Sequence, residues 1–263
     1  RRPILETAVK NFLANQSFQA DFKSFEKNNQ LWLDDFAEFM AIKEHFGNQA
    51  LQKWDDKKAV ARDPKTLEKY RTMLADQIQY FKVTQYFFFK QWTELKNYAN
   101  QKGIQIIGDM PIYVAADSVE VWTKPELFQL DKERNPLFVA GVPADQFSVT
   151  GQLWGNPLYD WKEHKKQGYA WWIHRIEESF KIYDVLRIDH FKGFSDYWQV
   201  DGKADIAKYG SWQPGPGYDL FKAVKEQLGD LPIIAEDLGN IDDKARKLLA
   251  DCNYPGMKIL QFG

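Results

Sequence analysis

The stretch "YDVLRIDHFKGF", Tyr183 to Phe194, is a short apolar run that places Arg187, Asp189 and His190 toward its far end. A strand alternates its side chains between two faces, so Arg187 and Asp189 point the same way. Burying an ion pair gains little stability and can cost some. The pair is either a structural lock or the mark of a site. Two other runs share this grammar: "GIQIIGDMPIYV" (103–114) ends its apolar part at Gly108-Asp109, and "LPIIAEDLG" (231–239) ends at Glu236-Asp237. "GMKILQFG" (256–263) reads as a fourth strand.

Helical stretches separate these runs: "YAWWIHRIEESFKIY" (169–183), "YDLFKAVKEQLG" (218–229) and "DDKARKLLADC" (242–252). Strand alternating with helix is the pattern of a parallel sheet with crossover helices, an α/β fold. Continuous Val/Ile/Leu runs suit strands covered on both faces. In a closed parallel barrel the C-terminal strand ends converge on one rim, where active sites lie. Asp109, Asp189 and Glu236 are then expected to share a cleft.

The first hundred residues follow a different period. "LWLDDFAEFMAIKEHFG" (31–47) repeats its apolar residues at helical spacing and stops at Gly47. Asp63 followed by Pro64 offers an N-cap and a first helical residue. The helical pattern then runs to about Gln101, with Gly103 beyond it and a break expected near Lys82 to Thr84, where the apolar stripe blurs. The sequence thus divides into a mainly helical region, 1–102, and a region of βα units, 103–263.

Composition narrows the function. Across 263 residues, Lys plus Arg is 35 and Asp plus Glu is 37, a net charge of -2. That balance gives no electrostatic footprint for nucleic acid or anionic lipid. Cys252 is the single cysteine, so no intrachain disulfide forms. No apolar run approaches the roughly 18 residues that a membrane span needs. No secretory leader is visible, although the chain opens at Arg1 rather than Met. Ten Trp, twelve Tyr and nineteen Phe make 16% of the chain, either as core filling or as flat walls of a sugar-binding groove.

Two carboxylates facing one another across a pocket suit glycosidic chemistry, in which one attacks the sugar carbon and the other donates a proton to the leaving oxygen. Arg187, two residues before Asp189, favours an ionised nucleophile there. Glu236 follows the apolar "PIIA" with no cation beside it in sequence, a setting that favours a protonated acid. A metal site is the rival reading, because Asp109, Asp189, Glu236 and Asp237 are all hard oxygen ligands. Against it, Arg187 carries a fixed positive charge into the place of the ion. His190 is open to three readings: a ligand, a donor to substrate, or a structural histidine.

The motifs "IIGDMPIYVAADSVEVW", "FVAGVPADQFSVTGQLWGNPLYDW", "LRIDHFKGF", "IIAEDLG" and "PGMKILQFG", in this order, resemble the 4-alpha-glucanotransferases (amylomaltases, or disproportionating enzymes) of glycoside hydrolase family 77. The resemblance runs from about Phe22 to Gly263. It implies part of a (βα)8 TIM-type barrel, with about four strands present and a large helical insertion region. The implied reaction is a retaining double displacement on maltooligosaccharides or other α-1,4-glucans, with glucose or another glucan as acceptor. Neither cofactor, metal, nucleic acid nor membrane is implied, and the implied location is cytoplasmic.

Carried over by motif, Asp189 is the nucleophile and Glu236 the acid/base. Arg187 positions Asp189, while His190 and Asp109 contact substrate. The segment "GVPADQFSVTGQLWGNP" (141–157) resembles the family's mobile loop over the cleft, with Asp145, Gln152 and Trp154 contacting glucose units. Ala144 and Gln146 depart from the proline and aromatic residue common among relatives. The resemblance further implies barrel strands before Arg1 and a third catalytic aspartate after Gly263. Residues 1–263 made alone are accordingly expected to be poorly soluble and inactive, having open sheet edges.

Overall fold

The computed structural model describes residues 2–262 apart from positions 16, 18, 147 and 240, with position 262 described in its backbone only. The chain divides into two compact units: residues 1–95 with 117–123, and residues 96–116 with 124–263. The first is helical, comprising α1 (Arg2–Ala14), α2 (Gln19–His45), α3 (Lys57–Val60), α4 (Pro64–Met73), most of α5 (Ala75–Gln101) and α6 (Val119–Thr123). Asp63 caps α4, its carboxylate accepting the Thr66 N–H, and Pro64 stands at the first turn, where its missing N–H costs nothing.

The expected break at 82–84 does not occur. The helix is interrupted at Leu74 instead, between α4 and α5, and α5 runs on for 27 residues. The polar residues that blur its stripe are accommodated within the unit. Lys82 Nζ reaches Glu26 and Asp34 of α2 at 3.2 and 2.5 Å, and the Thr84 hydroxyl donates back to the Phe81 carbonyl.

Aromatic residues fill this unit. Phe12, Phe22 and Tyr86 meet in one cluster, and Phe39, Trp54 and Trp122 in another, with Trp54 and Trp122 fully buried. Much of the aromatic excess is therefore core. No helix among the described residues is long and apolar enough to cross a membrane.

The second unit contains, in chain order, β1 (Ile107–Met110), β2 (Phe138–Val142), β3 (Gln152–Pro157), α7 (Trp161–Lys166), α8 (Ala170–Ile182), β4 (Val185–Ile188), β5 (Asp196–Asp201), β6 (Gly210–Pro214), α9 (Tyr218–Leu228), β7 (Ile233–Ala235) and α10 (Asp243–Cys252). The three apolar runs form a parallel sheet in the order β1-β4-β7. One face is buried by Gly108, Met110, Leu186, Ile188, Ile233 and Ala235, with α8 packed on β1 and β4. Gly108 is required there: a Cβ would lie 2.0 Å from the Tyr183 ring. The other face carries Asp109, Arg187 and Ile234 in one row, because Asp109 pairs with Arg187 and Arg187 with Ile234.

Two expectations for this unit need correction. Residues 254–259 form no strand, and 260–262 make a 3-10 turn. Pro255 offers one carbonyl to the Ala235 N–H, but the Met257 N–H then turns to the Asp237 carboxylate, which ends any ladder. The parallel sheet thus has three strands among the described residues, not four. The segment 141–157 is also a loop only in its middle part. Its two ends belong to β2 and β3, which pair as a hairpin within an antiparallel sheet ordered β3-β2-β5-β6 that sequence reading missed.

Candidate active site

The parallel ladder continues one residue beyond Ile188 and Ala235. The Asp189 N–H bonds the Met110 carbonyl, and the Glu236 N–H bonds the Ile188 carbonyl. Asp189 and Glu236 therefore occupy matching positions at the C-terminal tips of adjacent strands. By alternation both belong to the face that carries Asp109 and Arg187.

Arg187 joins the acids. Its guanidinium is 2.6 Å from Asp109 Oδ1 through Nη1 and 2.9 Å from Asp189 Oδ1 through Nη2, while Nε lies 3.2 Å from the Met257 sulfur. Burial opposes its charge, but the hydrogen bond and charge of Asp109, then those of Asp189, outweigh this and raise its pKa. The arginine is mostly covered, at 23% exposure, whereas Asp189 keeps 44% and Asp109 62%. Two carboxylates thus share one guanidinium and retain solvent-facing oxygen. The guanidinium also fills the place a metal ion would need between these acids.

Glu236 is held differently. Its two oxygens accept backbone N–H groups, Oε2 from His190 at 2.9 Å and Oε1 from Leu238 at 3.0 Å. Burial pushes its pKa up, and the charge of Asp189 pushes the same way, against the two N–H bonds and Arg187. His190 can turn its N–H to this carboxylate because it adopts a left-handed conformation, φ 50°, uncommon for a residue with a side chain. Such strain at a strand tip is the kind kept at functional positions. Burial lowers the His190 imidazole to about 4, which leaves it neutral near pH 7. A neutral ring offers one donor and one acceptor.

The hairpin reaches this cluster. The Trp154 indole meets the His190 ring edge-on at 4.9 Å, and its Nε1 donates to Gln152 Oε1 at 3.2 Å. Tyr113, just after β1, lies 6.2 Å from the same indole. Of the residues singled out in sequence, Asp109, Arg187, Asp189, His190, Glu236, Trp154 and Gln152 are linked by these contacts. Asp145 sits at the hairpin tip, where its carboxylate accepts the Ser148 N–H at 2.8 Å.

A family model described as 4-alpha-glucanotransferase, glycoside hydrolase family 77, matches residues 1–263. The chain belongs to this family. It is 56% identical over 262 residues to a 4-alpha-glucanotransferase of Streptococcus pneumoniae, covering 100% of this chain and 52% of that protein. A 4-alpha-glucanotransferase of Clostridium butyricum is 46% identical over 260 residues, covering 98% and 53%. Among solved structures, the amylomaltase from Streptococcus agalactiae in complex with acarbose superposes with a TM-score of 0.97 at 62% identity, covering all of this chain and 53% of that one. The chain thus spans about half the length of the curated 4-alpha-glucanotransferases it matches, and its α/β fold is that of an amylomaltase.

Sequence reading of this family member missed the segment that follows α10. Met257 touches Arg187, and its N–H bonds Asp237 at 2.7 Å. Gly256 allows that approach, since a Cβ would lie 2.4 Å from Asp237 Oδ2. The motif "PGMKILQFG" contains both residues, but its apolar run favours a strand reading.

Proposed function

We propose that the protein containing this chain is a retaining 4-alpha-glucanotransferase, with Asp189 as nucleophile and Glu236 as acid/base. The observation that carries the reading is the asymmetry of two carboxyls on adjacent strand tips. Asp189 faces a guanidinium, while burial raises the pKa of Glu236 and favours its protonated form. Neighbouring strands lie about 4.8 Å apart, which suits the roughly 5–5.5 Å carboxyl separation of retaining enzymes.

In the proposed reaction Glu236 gives its proton to the glycosidic oxygen as Asp189 bonds the anomeric carbon. The C1–O bond breaks and one glucan leaves with a new 4-hydroxyl. The 4-hydroxyl of an acceptor then returns a proton to Glu236 and takes the anomeric carbon from Asp189. Arg187 fixes the Asp189 carboxylate, while neutral His190 and Asp109 meet sugar hydroxyls. Every transfer uses side-chain oxygens and protons alone.

Maltooligosaccharides and other α-1,4-glucans are the proposed substrates, with glucose among the acceptors. The relatives' names and the acarbose bound by the Streptococcus agalactiae amylomaltase support this. The hairpin, with Asp145, Gln152 and Trp154, is proposed to cover the cleft and exclude water until the acceptor arrives. In the same reading β1, β4 and β7 belong to a (βα)8 barrel, which the helical first hundred residues flank or interrupt, and the protein works in the cytoplasm.

Asp189→Ala in the full-length enzyme should abolish both transfer and hydrolysis. Turnover above about a tenth of wild type would defeat the assignment. On maltotriose the wild type should give glucose plus longer glucans; glucose and maltose without longer products would make it a hydrolase.

A further inference from the structure

The 3-10 turn Phe191–Phe194, directly after the His190 bend, carries a lysine enclosed by three other residues. Lys192 Nζ lies 2.8 Å from Asp196 Oδ1, 2.5 Å from Asp242 Oδ2 and 4.7 Å from the centre of the Trp212 ring. The side chains of Lys192 and Asp196 are only 12% exposed. Burial opposes the ammonium, but the bonds and charges of Asp196 and Asp242 outweigh it and raise its pKa. An exposed pair of this kind would contribute little. This one is shielded at Lys192 and Asp196, with Asp242 keeping 42% exposure, and it ties the turn after β4 and the adjoining start of β5 to the start of α10, fifty positions away.

Asp242 has a second task. Its Oδ1 accepts the Ala245 N–H at 2.9 Å and so caps α10. Asp242 therefore closes the segment that opens at Glu236. The other end of that segment is gripped where the same turn begins, through the His190 N–H on Glu236 Oε2 and the Phe191 N–H on the Glu236 carbonyl. A single turn thus holds both ends of the segment bearing the acid, by backbone N–H groups at one end and by an ammonium at the other.

We propose that Lys192 is a positioning residue for Glu236: its tether to Asp242 anchors the start of α10, which follows the acid in the chain, and so helps set the direction in which the carboxyl delivers its proton. The inference rests on Glu236 being the acid/base. Asp189 has its own support in Arg187, so loss of the tether should fall on the proton-dependent step and spare nucleophilic attack. A displacement on the order of 1 Å is enough to cost a large factor in an oriented transfer.

Two substrates separate these steps in the full-length enzyme. Maltotriose needs its leaving oxygen protonated. α-Maltosyl fluoride does not: in its first turnover the Asp189 carboxylate bonds C1 as the C–F bond breaks, and fluoride leaves with the electron pair. Lys192→Met should lower turnover on maltotriose by about 10²-fold, within the range of general acid catalysis. First-turnover fluoride release should stay within about threefold of wild type.

Asp242→Asn keeps the helix cap, since asparagine caps as well as aspartate, and should show the same selectivity at about tenfold. Lys192→Arg should restore most of the maltotriose rate. Equal loss on both substrates in Lys192→Met and Asp242→Asn, or no loss on either, overturns the proposal. Glu236→Gln run alongside separates the two readings. If it retains maltotriose turnover, the acid assignment itself fails; if it alone shows the substrate split, only the tether does.

Discussion

Glu38 in the helical unit and Glu236 in the α/β unit are both carboxyls whose pKa burial pushes up, yet their settings differ. Glu38 is 4% exposed, and Arg71 faces both of its oxygens, Nε at 2.9 Å from one and Nη2 at 3.1 Å from the other. Glu236 accepts backbone N–H groups from His190 and Leu238, and Asp189 stands on the next strand and adds to the upward push. One acid is answered by a cation and shut in. The other is held in place by neutral donors on a sheet face that keeps partly exposed acids. A raised carboxyl alone does not mark a site; one that is raised and still able to meet a substrate does.

Replacement of each glutamate by glutamine is the most direct way to break this contrast. Glu236→Gln keeps the shape and both N–H bonds but removes the transferable proton. Turnover on maltotriose should fall by about 10³-fold, inside the usual range for a general acid, while thermal unfolding stays close to wild type. A loss below about tenfold would mean that Glu236 is another structural acid like Glu38.

How far the sequence revealed this difference depends on the kind of contact involved. The three parallel strands were legible because a doubly covered strand is a continuous apolar run, and the acids at their tips stood out against it. The Asp63-Pro64 cap and the stop at Gly103 were legible because they are local rules of helix ends. The antiparallel sheet was not. Its strands "QLWGNP", "DYWQVD" and "GSWQP" mix tryptophan with polar residues and glycine, so no period of two emerges. The holders of Glu236 were equally hidden, because a backbone N–H has no letter in the sequence. Only the left-handed bend at His190 aims it. The Lys192–Asp242 tether spans fifty positions, and nothing in either neighbourhood names the other.

A smaller effect tests burial without chemistry. His164 on α7 is 1% exposed, and burial lowers its imidazole to about 4, against the Leu127 carbonyl, Asp160 and Glu163. Between pH 6.5 and about 4 the unfolded chain binds a proton at this position that the native chain refuses. Its contribution to stability is therefore full above 6.5 and is lost as pH falls through that window. At about 1.4 kcal/mol per pH unit the loss reaches about 3 kcal/mol. His164→Leu should flatten the decline of the unfolding free energy from urea titrations between pH 6.5 and 4 by that amount, whatever its effect at pH 7. An unchanged slope would mean that the ring takes up its proton while folded.

Glu38→Gln should do least. In the wild type the cost of ionising a buried Glu38 is present above its raised pKa and disappears as pH falls below 4.5. Glutamine removes that cost at neutral pH and still accepts from Arg71. The arginine, at 49% exposure, loses a partner but not its water. Desolvation and attraction nearly cancel for such pairs, so stability at pH 7 should change by less than about 1 kcal/mol. The balance should favour glutamine more as pH rises from 4 to 7, since only the wild type pays the ionisation cost. Turnover should stay within about twofold of wild type, because no proton leaves Glu38 for a substrate. A loss above about 2 kcal/mol would show that the Arg71 pair outweighs the burial of its charge. A collapse of turnover would erase the distinction between the two glutamates.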